Sequence, residues 1–213
     1  MRDEFLVDEV EYKGYTIRIY QDDDPGIADM IMDDDRFGTM NCLHKRYNIG
    51  DDHDFSAKEL MEYVEEENVH ALPIYMLDHS GITISTAPFS CPWDSGQLGY
   101  IYCTNEDIEK EYGQVSPETV EKAMNLMKSE VERYDAVLRG EIFLFMTEDD
   151  DGEVIDSCGG FVGIDEMDHL KTEAKQAIDC HIKTREQKRE QKLKSLIENK
   201  VPYDKREQIL SHY

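Results

Sequence analysis

The sequence predicts an α+β protein: a mainly antiparallel sheet with helices packed on it, plus a long C-terminal helix. Three observations carry this. Alternating apolar segments recur over 10–20, 72–86 and 141–156, each interrupted by Gly, Pro or Asp turn chemistry. Between them lies one strongly periodic helix, with Val120, Ala123, Met124, Met127, Val131, Tyr134 and Leu138 on one face. A further helical pattern runs from Asp165 to Asn199. The coarse order of strands, helix, strands, two helices, strands and a helical tail points to α+β.

Taken in order, Val10 to Tyr20 reads as a hairpin turning at Lys13-Gly14, with Tyr15, Ile17 and Ile19 on one face. Asp22-Asp23-Asp24-Pro25-Gly26 stops it, and Ile27 to Met32 is a short apolar interlude. A strand is expected near Thr39–Leu43. Ser56 with Glu59 forms a capping box ahead of a helix whose apolar stripe is Leu60, Met61 and Val64. The stretch from Leu72 to Cys103 supplies a strand, the turn His79-Ser80-Gly81, a strand over Ile82–Thr86, a loop and another strand. Thr104 to Tyr112 is a short helix closed by Gly113. Ser116-Pro117 then opens the periodic helix with a cap residue and a proline at the first helical position, and Gly140 ends it. A hairpin follows across Asp149-Asp150-Asp151-Gly152. Aligning Gly152 with the sixth position of a calcium loop puts Thr147 first and Cys158 twelfth, so the required acids are missing. In the last helix the span Thr184–Lys192 has no apolar residue, and Asp204 with Glu207 can cap a final short helix.

The 213 residues carry 48 acids against 23 bases, a formal charge of −25. Residues 1–170 hold 41 acids and 12 bases, whereas 171–213 hold 7 and 11. The division expected is an acidic α+β domain over 1–163 and a basic helical tail over 164–213. A field of this sign repels nucleic acid and anionic lipid and attracts basic proteins or cations. The opening MRDEFLVDEVEYKG is polar throughout, and no apolar run reaches membrane-spanning length. Five cysteines, an odd number, suit a reducing compartment better than a disulfide framework. A cytoplasmic setting is the expectation.

Four constellations could carry chemistry. In the first, His79 follows a strand at a turn, and Cys91-Pro92-Trp93-Asp94 lies in the next loop. A Cys–His pair oriented by Asp is what thiol nucleophiles require. The competing reading is a satisfied turn in which Cys91 and Trp93 fill core. In the second, Cys42, His44 and Arg46 fall on one face if the strand continues, so Arg46 could take a phosphate or carboxylate. Cys42, His44, His53, His79, Cys91, Cys103 and Cys158 together could supply a zinc site, although no ligand-type spacing occurs among them. The third pairs Asp94-Ser95-Gly96 with Asp156-Ser157, two similar strand starts that would bring two carboxylates together if they lay side by side. The fourth is the acid runs Asp22, Asp23, Asp24 and Asp33, Asp34, Asp35, which can imitate nucleic-acid phosphates.

The segments FGTMNCLHKRYNIGD, LPIYMLDHSGITISTAPFSCPWDSGQLGYIY and LRGEIFLFMTEDDDGEVIDSCGGFVG together resemble a family carried by bacteriophages, prophages and plasmids. The likeness runs from about Tyr12 to about Gly163 and is most specific over His79–Tyr102. Its matching positions include Gly38, Cys42, His44, Arg46, Gly50 and Asp51, then His79, Cys91, Trp93, Asp94 and Gly99. Leu43 departs from the pattern, standing where an aromatic is expected. The family brings no settled activity. What the resemblance implies is a mobile-element setting, where small acidic proteins counter host nucleases.

The leading expectation is therefore an acidic accessory protein that binds a basic, nucleic-acid-handling protein through Asp22–Asp24 and Asp33–Asp35. Its sharpest form inhibits a host defence nuclease, as anti-restriction and anti-CRISPR proteins do. The alternative is a hydrolase using His79, Cys91 and Asp94 with His44 and Arg46, metal-dependent or not; no cofactor is specified. A third reading has the C-terminal helix oligomerise or dock on a partner.

Overall fold

A computed structural model of the chain describes residues 3–32 and 36–200. Both expected components are present: antiparallel strands with helices beside them, and a long C-terminal helix. The fold is α+β. Its strands form two four-stranded sheets rather than one.

The first sheet begins with the hairpin β1 (Leu6–Tyr12) and β2 (Tyr15–Gln21). Lys13 and Gly14 take φ of 53° and 82°, the left-handed pair that a two-residue hairpin turn needs. The sheet order is β1-β2-β7-β8, where β7 is Ile142–Glu148 and β8 is Val154–Val162. At the β7–β8 turn, Asp149 Oδ1 accepts from the backbone N–H of Asp151 and Glu153. The three-aspartate tip, the one compact group of potential metal-ligating side chains among the described residues, is thus accounted for by turn chemistry. α5 (Met167–Lys200) covers this sheet. Leu170, Ala174 and Ile178, four residues apart, are fully buried, as are Ile17 and Ile19. Lys13 to Asp179, Lys171 to Asp8 and the Tyr15–His181 ring contact run between hairpin and helix. These parts make up one compact unit: Met1–Tyr20, Leu144–Gly159 and Glu166–Tyr213. By its contacts α5 belongs with the hairpin, whereas the change of charge falls at residue 170.

The second unit is Gln21–Phe143 with Gly160–Asp165. It opens with α1 (Pro25–Met32), so the segment read as an apolar interlude is a helix. The acid run is its cap: Asp24 Oδ1 accepts from Gly26 N–H, and Pro25 stands at a position where its missing N–H costs nothing. The unit's sheet has the order β3-β6-β4-β5, from β3 (Thr39–Cys42), β6 (Ser95–Thr104), β4 (Val69–Asp78) and β5 (Ile82–Ser85). All three pairings are antiparallel. Ile101 and Cys103 point to one face, where Ala123, Met127, Val131 and Tyr134 of α4 (Pro117–Leu138) bury against them with Met40 and Ile74. Each Ile, Val or Met side chain among them, withdrawn from water, contributes about 1.5–3 kcal/mol. Tyr100 and Tyr102 point to the other face, beneath Leu60 of α2 (Ala57–Val64), while Met61 of the predicted stripe is exposed. The capping boxes at Ser56, Thr104 and Ser116 all form, the second opening α3 (Asn105–Tyr112), which Gly113 closes at φ 78°. The predicted short helix after Asp204 lies outside the described residues.

Candidate functional site

The end of β4 and the start of β6 are joined laterally, and the loop between β5 and β6 folds over them. Asp78 N–H donates to the Asp94 carbonyl at 2.9 Å. Ser95 Oγ donates to the Cys91 carbonyl. Asp94 Oδ2 lies 3.0 Å from His79 Nδ1 and accepts from Cys91 Sγ at 3.7 Å. His79 itself sits at a tight turn in which Ser80 takes φ 60°. Four short contacts thus fasten the segment Cys91–Ser95, and Trp93 at its tip is left 91% exposed.

Beside this loop stands a second group. β3 ends at Cys42, and the chain turns so that His44 Nδ1 accepts from the N–H groups of Arg46 and Tyr47 at 3.3 and 3.2 Å. Those donors put the proton of a neutral His44 on Nε2. His44 stacks on Tyr47, with ring centroids 5.0 Å apart. Arg46 lies over the same ring and reaches Asp78 Oδ2 at 3.4 Å, while Tyr47 donates to that oxygen at 3.3 Å. Its guanidinium is held more firmly protonated still, by the Tyr47 hydroxyl first and by Asp78 after it.

The two groups border one open depression of about 400 Å³, lined by His44, Asp78, Trp93, Asp94 and residues 95–98. A bulge shapes that last segment. β4 and β6 slip register between Ile74 and Tyr75, so Leu98 has no partner on β4 and its side chain turns into the core. Bulges bend a strand and re-aim its neighbours, and they recur beside functional sites.

His79, Cys91 and Asp94 are therefore together, with His44 and Arg46 close by, but their connectivity is not that of a thiol nucleophile. Asp94 contacts both the imidazole and the thiol. In a nucleophilic site the base touches sulfur and the acid orients the base. A carboxylate is several pKa units too weak a base to ionise an ordinary thiol. The contacts hold the loop. Two other cysteines are inert for a different reason: burial pushes the thiols of Cys42 and Cys103 up to about 12.

Several sequence expectations are corrected here. Trp93 does not fill the core; it is the most exposed of the large apolar residues described. Cys42, His44 and Arg46 do not share a strand face, because the strand stops before His44. Asp94 and Asp156 do not start neighbouring strands, since β6 and β8 belong to different sheets. The cysteines and histidines do not gather into a metal-ligating group among the described residues. In the first acid run Asp22 accepts from Asp24 N–H and Asp24 caps α1, while Asp23 and Asp24 both stay exposed. Asp33, Asp34 and Asp35 lie outside the described residues. Sequence reasoning missed Asp78 and Tyr47, which anchor Arg46; their adjacency to His79 and Arg46 was the available signal.

No protein-family model matches the chain, and neither a curated protein nor a solved structure matches it.

Proposed function

We propose that the chain is an acidic binding protein whose partner is a basic, nucleic-acid-handling protein of the kind encountered by mobile genetic elements, with a host defence nuclease as the sharpest case. The observation that carries the reading is the open site around Trp93, whose loop is fastened by four contacts, on a strongly acidic unit. Gln21–Phe143 with Gly160–Asp165 contains 28 acids and 9 bases, a balance of −19. Energetically dominant contacts at protein interfaces centre on Trp, Tyr and Arg. Surface carboxylates meet the phosphate-reading groups of such a partner, so the protein competes with nucleic acid for them.

The test is binding of the full chain to purified restriction and CRISPR nucleases, with and without their DNA substrate, at low and high salt. The reading expects a complex that DNA displaces and that weakens as salt rises. A complex indifferent to both would end the charge-competition mechanism.

A second reading, a Cys/His/Asp hydrolase, is favoured by the meeting of His79, Cys91 and Asp94 and disfavoured by Asp94 standing between the other two. Ester or peptide hydrolysis abolished by Cys91→Ala would establish it; equal turnover by that variant would dismiss it.

A further inference from the structure

Two neighbouring parts of the second unit share a border. The Trp93 depression and a second open basin of about 450 Å³ are both lined by Leu43 and His44. The second basin carries Asp52 and Asp54, both exposed. An indole with an adjacent carboxylate, Asp94, stands on one side of Leu43-His44, and two further carboxylates stand on the other.

The same unit already holds two guanidinium groups in this chemistry: Arg36 lies 5.6 Å from the Tyr134 ring centroid and pairs with Asp51, and Arg46 is the second. Arg46 lies 5.5 Å from the Tyr47 ring centroid with Asp78 beside it. Trp93 and Asp94 repeat the aromatic and the acid, and no cation of the described residues lies over the indole. Trp is the strongest of the aromatic faces for a cation, and guanidinium stacks flat where ammonium does not.

From this we propose that the two basins form one docking surface for an arginine-bearing segment of a protein partner. One guanidinium stacks on Trp93 beside Asp94, and a following base meets Asp52 and Asp54. The proposal rests on the binding-protein reading above and names the chemical group its site receives. The chain's own basic helix, presented by a second copy, is the competing occupant.

Trp93 is the only tryptophan, so its emission reports on this surface alone. The full chain is titrated with a short Arg-Gly repeat peptide and with its citrulline counterpart, which has the same shape without the charge. A saturable change in emission with the arginine peptide, at least roughly tenfold weaker with citrulline, is expected. Anisotropy of a labelled arginine peptide should show Trp93→Ala weakened roughly tenfold or more. Asp52→Asn/Asp54→Asn should be weakened roughly three- to tenfold, with a shallower salt dependence. Because Trp93 packs into no core, its substitution leaves the fold intact, which circular dichroism verifies. Equal binding of arginine and citrulline peptides, or of the Trp93→Ala variant, overturns the proposal. So does an emission change produced by raising protein concentration alone, which assigns the surface to a second copy. A nuclease complex that survives Trp93→Ala but is still displaced by DNA and weakened by salt removes this site and the Trp93 anchor, and leaves only the charge competition of the proposed function standing.

Discussion

Gly99→Ala isolates the most severe backbone approach in the second sheet. Gly99 lies opposite Cys42 across the β3–β6 pairing. A Cβ there would sit 2.1 Å from the Asn41 carbonyl oxygen and 2.8 Å from the Cys42 Cα. Both are backbone atoms, so no flexible side chain can swing away. The strands must separate, which strains the Leu43 N–H to Leu98 carbonyl bond at 2.8 Å and the Tyr102 hydroxyl bond to Asn41 at 2.7 Å. Overpacking costs about 1–3 kcal/mol and a lost hydrogen bond about 1 kcal/mol more, for roughly 2–4 kcal/mol in all. For a chain of this length that lowers Tm by about 5–15 °C, read by far-ultraviolet circular dichroism. The same strand supplies the control. A Cβ on Gly96 meets nothing within 4 Å, so Gly96→Ala should stay within about 0.5 kcal/mol of the parent. Equal stability of Gly99→Ala and the parent, or equal loss in both variants, would refute the reasoning.

Glu130 accepts from the backbone N–H groups of Phe37 and Gly38 at 2.6 and 3.0 Å, so Glu130→Ala should cost about 1–3 kcal/mol in urea unfolding and Glu130→Gln distinctly less. In thiol labelling of the folded chain at mildly alkaline pH, exposed Cys158 and Cys180 should react quickly, and buried Cys103 only once the chain unfolds; rapid labelling of Cys103 would contradict the packing of β6 under α4. A hydrogen bond from Lys171 holds Asp8 below its ordinary value near 3.8. Its contribution is therefore complete above pH 3.8 and lost as pH falls through the depressed value. Because the pair is well exposed it is worth under about 1 kcal/mol, and the stability gap between the parent and Lys171→Met should close as the solution is acidified.

Features written in adjacent residues were legible in the sequence. The capping box at Ser56, the cap residue Ser116, the Lys13-Gly14 turn and the stripe from Ala123 to Tyr134 depend on contacts a few residues apart, where spacing determines geometry. α1 is written in adjacent residues too, since Asp24-Pro25 is helix-start chemistry as much as strand-stop chemistry. The partition into two sheets is not. Placing β2 beside β7 requires pairing segments more than a hundred residues apart, and nothing in either strand's alternation names its partner. At the site, turn chemistry around His79 and Cys91–Gly96 marked the right stretch, but hydropathy assigned Trp93 to the interior. Its exposure depends on four contacts from flanking residues that hold the loop, including Ser95 to the Cys91 carbonyl and Asp78 to the Asp94 carbonyl.

The docking of α5 on the first hairpin has a consequence for how the molecule is made. Lys13 and Asp179 are 166 residues apart. A ribosome adding about 5–20 residues per second separates their emergence by on the order of ten seconds or more. Until α5 is made the hairpin lacks its Lys13–Asp179, Asp8–Lys171 and Tyr15–His181 contacts, although by the end of that interval Gln21–Phe143 has been synthesised. The nascent hairpin is therefore an open strand pair awaiting the synthesis of α5, and its outer strand carries Asp8, Glu9 and Glu11. Charge on a waiting edge discourages pairing with other chains. A truncation that removes α5 would make that transient vulnerability permanent, and the expected result is aggregation rather than a protein lacking a tail.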